Sequence, residues 1–340
     1  MRRGTRSNVI TVLCCNAGVD RTYAVDSFTI GSYHHPRRFR AAPGGKGVNV
    51  ARVLRTLGED VTLGGFAGGT AADFMVAQLK KAGITPSFVR IAEESRLCIN
   101  VIDSVTLTQT QVDEIGPLVT PSEVSALKHR WPTLLQRSSM AILSGSAPRG
   151  APFSLYRELV EIAHAQKVPV ILDARDELLA EAIQARPQVI KPNLIELCGL
   201  VGAELSVPNG VAEAARELLA KGIKMVITSL GHQGAIFSSA KGNWWARPPK
   251  IDVVSPVGSG DAMVAGFAAA SVQQKPLEDR IRWAIAAGAA NAESFGAGFC
   301  TLEQMRNIYP EVAVKNLEDT GDSGEHANAA DGRVAAGDAP

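Results

Sequence analysis

Short runs of β-branched and other apolar residues recur along the chain, each followed by a stretch with apolar positions at helical spacing. The runs are Val9-Ile10-Thr11-Val12-Leu13, Val61-Thr62-Leu63, Met140-Ala141-Ile142-Leu143, Val168-Pro169-Val170-Ile171-Leu172, Val189-Ile190 and Met225-Val226-Ile227-Thr228. Such near-continuous apolar runs predict strands covered on both faces. Helices are predicted over 47–57, 72–82, 152–166, 211–221 and 262–272. Alternating β and α elements predict an α/β fold, a mostly parallel sheet between two helical layers in a Rossmann-like αβα arrangement. Right-handed crossovers then bring the loops at the strand C-termini to one edge, where ligands bind in such sheets.

Two regions break the rhythm. Residues 19–42 and 96–113 carry short alternating patterns, such as Cys98-Ile99-Asn100-Val101-Ile102 and Thr106-Leu107-Thr108-Gln109-Thr110, without intervening helices. They predict a small antiparallel sheet projecting from the main domain as a lid. Residues 1–7 and the Ala-, Gly- and Asp-rich stretch 316–340 are expected to be disordered, leaving one domain over 8–315. No internal repeat is evident.

Charge narrows the classes of function. The formal net charge is +1 and no run of Lys or Arg exceeds two, so nothing favours a nucleic-acid or membrane-surface partner. No segment reads as a membrane span or a signal peptide, which predicts a cytoplasmic protein. There are five cysteines, an odd number without metal-ligand spacing, and four of them sit among apolar neighbours and read as buried thiols in a reducing compartment. His34-His35 lacks a third ligand nearby in sequence and reads as a turn or lid position.

Chemistry concentrates in two glycine segments. Gly258-Ser259-Gly260-Asp261 runs directly into the helical stretch beginning at Ala262, and a helix N-terminus with free amides is an anion site. Asp261 has two readings, a carboxylate favoured by the helix dipole or a base for an attacking hydroxyl beside that anion hole. Pro43-Gly44-Gly45-Lys46-Gly47-Val48-Asn49-Val50-Ala51-Arg52 couples a second glycine turn to a helix. Neither a phosphate-loop G-x-x-x-x-G-K-[ST] nor a dinucleotide G-x-G-x-x-G at the first βα turn is present.

Taken together, the two segments resemble the ribokinase-like (PfkB) family of carbohydrate kinases, in the branch of 1-phosphofructokinase and tagatose-6-phosphate kinase. Four more segments match in order: 16–20 (Asn-Ala-Gly-Val-Asp), 144–150 (Ser-Gly-Ser-Ala-Pro-Arg-Gly), 191–197 (Lys-Pro-Asn-Leu-Ile-Glu-Leu) and 229–235 (Ser-Leu-Gly-His-Gln-Gly-Ala). The resemblance implies a ribokinase-like fold and phosphoryl transfer from ATP with Mg2+. Asp261 would be the base, with Gly258, Ser259 and Gly260 around the transferred phosphoryl. Asp20, Gly44, Gly45, Lys46 and Asn49 would hold the acceptor, while Lys191, Asn193, Glu196, Ser229, Gly231 and Asn291 would lie on the nucleotide side. Asn193 and Glu196 would organise Mg2+ largely through water, although on local pattern alone they read as a helix cap and its capping-box partner.

The branch also implies an acceptor that already carries a phosphate. Arg96 matches a phosphate-clamping arginine, and fructose 1-phosphate is the first expectation, giving fructose 1,6-bisphosphate. Tagatose 6-phosphate or fructose 6-phosphate, a free sugar or nucleoside, and a non-catalytic sugar-phosphate sensor are the alternatives. A homodimer through the lid is implied as well. The chain departs from the family pattern at Ala17, at Ala147-Pro148-Arg149 and at Pro256, which bear on how Asp20 is presented and on substrate preference.

Overall fold

The computed structural model of the protein describes residues 9–106 and 108–318. The expected N-terminal disorder over 1–7 lies outside the described residues. In chain order the elements are β1 (Val9–Cys14), β2 (Gly18–Val25), β3 (Arg38–Gly44), α1 (Lys46–Thr56), β4 (Asp60–Gly68), α2 (Gly69–Lys81), β5 (Thr85–Ile91), β6 (Arg96–Asp103) and β7 (Gln109–Asp113). They continue with α3 (Pro121–Leu135), β8 (Ser138–Ser144), α4 (Leu155–Ala165), β9 (Val170–Asp173), α5 (Asp176–Ala182), β10 (Val189–Ile190), α6 (Leu194–Val201), α7 (Asn209–Ala220) and β11 (Met225–Ser229). Last come β12 (Ala235–Ser239), β13 (Gly242–Arg247), α8 (Ser259–Val272), α9 (Leu277–Ala292), α10 (Leu302–Ile308) and β14 (Ala313–Asn316).

The main sheet runs β14-β13-β12-β11-β10-β9-β8-β1-β4-β5, parallel from β11 to β5 and antiparallel through β12, β13 and β14. Alternate residues of β1 feed two apolar layers. Ile10 and Val12 join α1, α2, α8, α9 and α10 on one face, while Leu13 joins α3, α4, α5, α6 and α7 on the other. The three-layer expectation therefore holds. The periodicity overlooked the β12–β14 meander, an antiparallel edge closed by the end of the described chain. β14 pairs with β13 through Asn316, and the Leu317 amide donates to the Asn243 carbonyl, so order extends past the expected start of the tail at 316. The remainder of that tail lies outside the described residues.

The second sheet, β3-β2-β6-β7, is the lid. One correction applies: β2 and β6 pair in parallel, and only β2–β3 and β6–β7 are antiparallel. Parallel pairing follows from connectivity, because β2 leaves β1 and β6 follows β5, and both strands start at the C-terminal edge of the main sheet. The Thr106–Thr110 pattern contributes only its end, since β7 begins at Gln109.

Candidate active site

At the centre of that edge α8 begins without a side-chain cap. Its N-cap, Gly258, adopts φ +85, a left-handed conformation that costs a residue with a Cβ, and an added Cβ would stand 2.6 Å from Ala297 Cβ. The Ser259 amide donates to the Pro256 carbonyl and the Ala262 amide to the Gly258 carbonyl. The amides of Gly260 and Asp261 remain as the first-turn donors that an incoming anion would meet.

Asp261 does not cap its own helix. It is buried, and the Asn49 amide on neighbouring α1 donates to its Oδ2 over 2.9 Å. Burial, reinforced by the nearby Asp173 carboxylate, pushes its carboxyl up to about 7, against the pull of Lys46, the Asn49 hydrogen bond and Lys191. A carboxylate titrating near neutrality is suited to accept a proton from an attacking hydroxyl.

Asp173, at the end of β9, joins this group although sequence reasoning did not single it out. It is fully buried, with Lys191 Nζ 3.2 Å and Lys46 Nζ 3.8 Å from its Oδ1. Neither of its oxygens has a well-formed hydrogen bond. The same carboxylate holds the Lys46 ammonium well above its ordinary range. A Cβ at Gly260 would lie 3.3 Å from Lys191 Nζ, so one arm of this ion-pair group reaches the glycine turn of α8. Asp173 ends an ordinary apolar strand, and nothing local distinguishes Val170-Ile171-Leu172-Asp173 from a strand leaving the core.

On the lid side, Asp20 on β2 lies against Gly44, where an added Cβ would fall 1.9 Å from its Oδ1. A side chain at this position would have to displace the Asp20 carboxylate. Burial raises the Asp20 carboxyl above its ordinary range, opposed by Arg52 and Arg96. Gly45 is the uncapped N-cap of α1 at φ +105. Arg96 opens β6, and its Nε donates to the Asn16 carbonyl at 3.1 Å. Arg96, Asp113, Glu114 and Arg149 line an open cleft of about 540 Å³. Arg149 donates to the Gly116 carbonyl and lies 3.5 Å from Glu93.

The residues expected on the nucleotide side are positioned differently. Asn193 caps α6: its Oδ1 accepts from the Glu196 amide at 2.7 Å, and Glu196 Oε2 accepts from the Asn193 amide at 2.8 Å. The capping-box reading is thus realised. Ser229 ends β11 and bridges to Asn193, while Gly231 opens a 3-10 turn at φ +58 with open space around it. Asn291, fully buried on α9, donates to the Val257 carbonyl and accepts from the Gly298 amide, so its visible work is to brace the loop before α8.

Among the described residues there is no group of three or more His, Cys, Asp or Glu side chains that could form an all-protein metal cage. Glu196 Oε1 lies outside the capping box, and the Asp173 oxygens lack hydrogen-bond partners. A single free carboxylate oxygen such as Glu196 Oε1 suits an ion such as Mg2+ that keeps most of its water.

A family model for pfkB carbohydrate kinases matches residues 8–305. The chain is 32% identical to a tagatose-6-phosphate kinase of Staphylococcus epidermidis over 90% of this chain and 99% of that protein. Its fold superposes on a Thermotoga maritima structure described as a "possible 1-phosphofructokinase" with TM-score 0.85 and 25% identity, covering 91% and 100% of the two chains. Phosphofructokinase-2 of Escherichia coli, solved with substrates and products, gives TM-score 0.84 and 27% identity over 89% and 98%. The chain belongs to the pfkB family of carbohydrate kinases. It is an ATP-dependent carbohydrate kinase with the ribokinase-like fold that its motifs implied.

Proposed function

We propose that the protein transfers the γ-phosphoryl of ATP to a phosphorylated ketohexose, with Asp261 as base. The observation that carries this reading is the meeting, at one sheet edge, of a buried carboxylate titrating near 7 with the uncapped N-terminus of α8. The acceptor hydroxyl oxygen bonds to the γ-phosphorus, the bond from that phosphorus to the bridging oxygen of ADP breaks, and the hydroxyl proton passes to the Asp261 carboxylate. Gly258, Ser259 and Gly260 form the turn that presents amides to the moving phosphoryl, and Lys191 adds positive charge beside it. Asp20, Gly44, Gly45, Lys46 and Asn49 hold the sugar, while Ser229, Gly231 and Asn291 shape the nucleotide side. Glu196 and Asn193 would hold Mg2+ through water, and the ion when bound neutralises phosphate charge.

Arg96 supports an acceptor with its own phosphate, because its guanidinium lines the cleft beside Asp20 and the lid. Fructose 1-phosphate is the expected acceptor. Tagatose 6-phosphate is the second reading, favoured by the 32% identical relative. ATP consumption against these two, fructose 6-phosphate, free fructose, ribose and adenosine tests the proposal. Preference for one phosphoketohexose supports it, and turnover only on unphosphorylated acceptors defeats it. Arg96→Ala should raise KM for the sugar phosphate by about 10–100-fold, the worth of a charge-assisted pair, with kcat little changed.

The outer lid face supports a homodimer. Tyr23, Phe39, Val101, Ile99 and Val112 share that face by register, and Phe39 and Val112 are exposed. An apolar sheet face between two open edges is suited to pairing with a second copy. Sedimentation of Phe39→Asp should show a monomer where the parent chain is a dimer.

A further inference from the structure

Arg52 lies on α1, three residues after Asn49, and its guanidinium serves three acceptors at once. Its Nη1 donates to Asn49 Oδ1 at 3.2 Å and to the Ala297 carbonyl at 2.7 Å, and its Nη2 donates to the Pro43 carbonyl at 2.6 Å. The other end of Asn49 donates to Asp261 Oδ2. An asparagine amide has a donor end and an acceptor end, so which end faces a carboxylate is decided by the group on the opposite side. Here that group is a permanent donor. With Arg52 on Oδ1, the amide presents its NH2 to Asp261; turned over, it would set Oδ1 against the carboxylate and NH2 against the guanidinium, both repulsive.

The guanidinium is itself clamped. The Phe299 ring lies 4.2 Å from Arg52 Cζ and 3.9 Å from Arg40 Cζ, and Arg40, on lid strand β3, donates to the Phe295 carbonyl at 2.7 Å. One arginine therefore ties the base's partner to the sugar-side turn at Pro43 and to the loop that packs against the lid.

We propose that Arg52 is a positioning residue for phosphoryl transfer, fixing the Asn49 amide so that it donates to the Asp261 carboxylate and keeps that carboxylate ready to accept the proton. The inference rests on the reading of Asp261 as base. The groups facing Asp261 are Asp173 from β9, Lys46 from α1, Lys191 after β10 and the Cys14 thiol of β1. Arg52 is faced by Asp20, Arg40 and Cys300. A hydrogen bond to the ionised form favours ionisation, so losing the Asn49 donor moves the titration of Asp261 upward.

The test is the pH profile of kcat/KM for the parent chain and for Asp261→Asn, Arg52→Met, Asn49→Ala and the Arg52→Met/Asn49→Ala pair. Arg52→Met should move the acidic limb up by about one pH unit, with KM for ATP unchanged. Asn49→Ala should move it similarly, and the double variant should move it no further, because both substitutions remove one interaction. Arg52→Lys keeps the cation but lacks the planar fork that serves Asn49 and Ala297 from one nitrogen. It replaces Arg52→Met if that variant does not fold, and its limb should move in the same direction. A uniform loss of activity at every pH with the limb unmoved, or additive shifts in the double variant, would overturn the role of Arg52. Retention of the parent's acidic limb in Asp261→Asn would instead overturn the assignment of the base, so the two failures are distinguishable.

Discussion

Two helices begin at the same edge of the sheet, α6 after β10 and α8 beside Lys191, and they treat their first turns in opposite ways. In α6, Asn193 and Glu196 satisfy each other's amides in a complete capping box. In α8, the N-cap is a glycine with no side chain, and the first-turn acid is turned away to meet Asn49 on another helix. A side chain that satisfies a helix end stabilises it by about 1 kcal/mol and occupies amides that could otherwise serve a ligand. The α8 end forgoes that stabilisation and leaves its first-turn amides without a side-chain cap. The comparison separates two acids that look alike in sequence: Glu196 closes a capping box on its own helix, whereas Asp261 leaves its own helix end uncapped and meets Asn49, as the proposed base would.

The sharpest way to break the comparison is to neutralise the α8 acid. Asp261→Asn should lower turnover by about 10²–10⁴-fold, the usual contribution of a general base, measured as steady-state ATP consumption on the best acceptor. The same substitution should reveal a cost in stability. Because the folded carboxyl titrates near 7, the folded chain binds more protons than the unfolded one between the ordinary carboxylate range and 7. Asp261 is therefore least costly to stability at low pH, and its cost grows as pH rises through that window to a maximum above 7. Asp261→Asn should raise Tm by about 2 °C or more at pH 8 and by much less at pH 5. A Tm gain equal at both pH values would show that the charge is not what burial penalises.

Next in size is the cap. Gly258→Ala forces a Cβ into the left-handed region and toward Ala297, at a cost of about 1–2 kcal/mol. Displacing the turn by even ~1 Å should reduce turnover by about 10²-fold. Unfolding curves and kcat measured together sharpen the comparison, because a glycine serving only as a stop signal would lose stability without that loss of rate.

How much of this was legible beforehand depended on whether a residue's role is local. Gly258 and Asp261 sit inside one contiguous pattern, so the glycine turn and the helix it opens were readable together. The alternating apolar strands and helical stretches likewise implied the layers, since burial on both sides of a parallel sheet writes itself along the chain. Asp173 was hidden because its meaning is tertiary: it matters only where β9 and β10 bring it to Lys191 while α1 brings Lys46. Arg52 was hidden for the same reason, since its acceptors at Pro43 and Ala297 are brought together by a turn and a loop 254 residues apart. The parallel β2–β6 pair was also unreadable, because alternation reports a strand's two faces and not its partner's direction.

The smallest expected effect bears on the capped helix, where Glu196→Gln distinguishes cap from ligand. Glutamine supports a capping box as glutamate does, so the α6 end and the Tm should be preserved. Asn193→Ala, which removes the cap itself, should cost about 1 kcal/mol. If Glu196 also holds Mg2+ through water from Oε1, the glutamine variant loses charge at the ion while keeping the helix intact. The Mg2+ concentration needed for half-maximal activity should then rise about 10-fold, with turnover at saturating Mg2+ nearly unchanged. An unchanged Mg2+ requirement would return Glu196 wholly to the capping box and leave the buried Asp173 carboxylate, ion-paired to Lys191 and Lys46, as the next group to test for the ion.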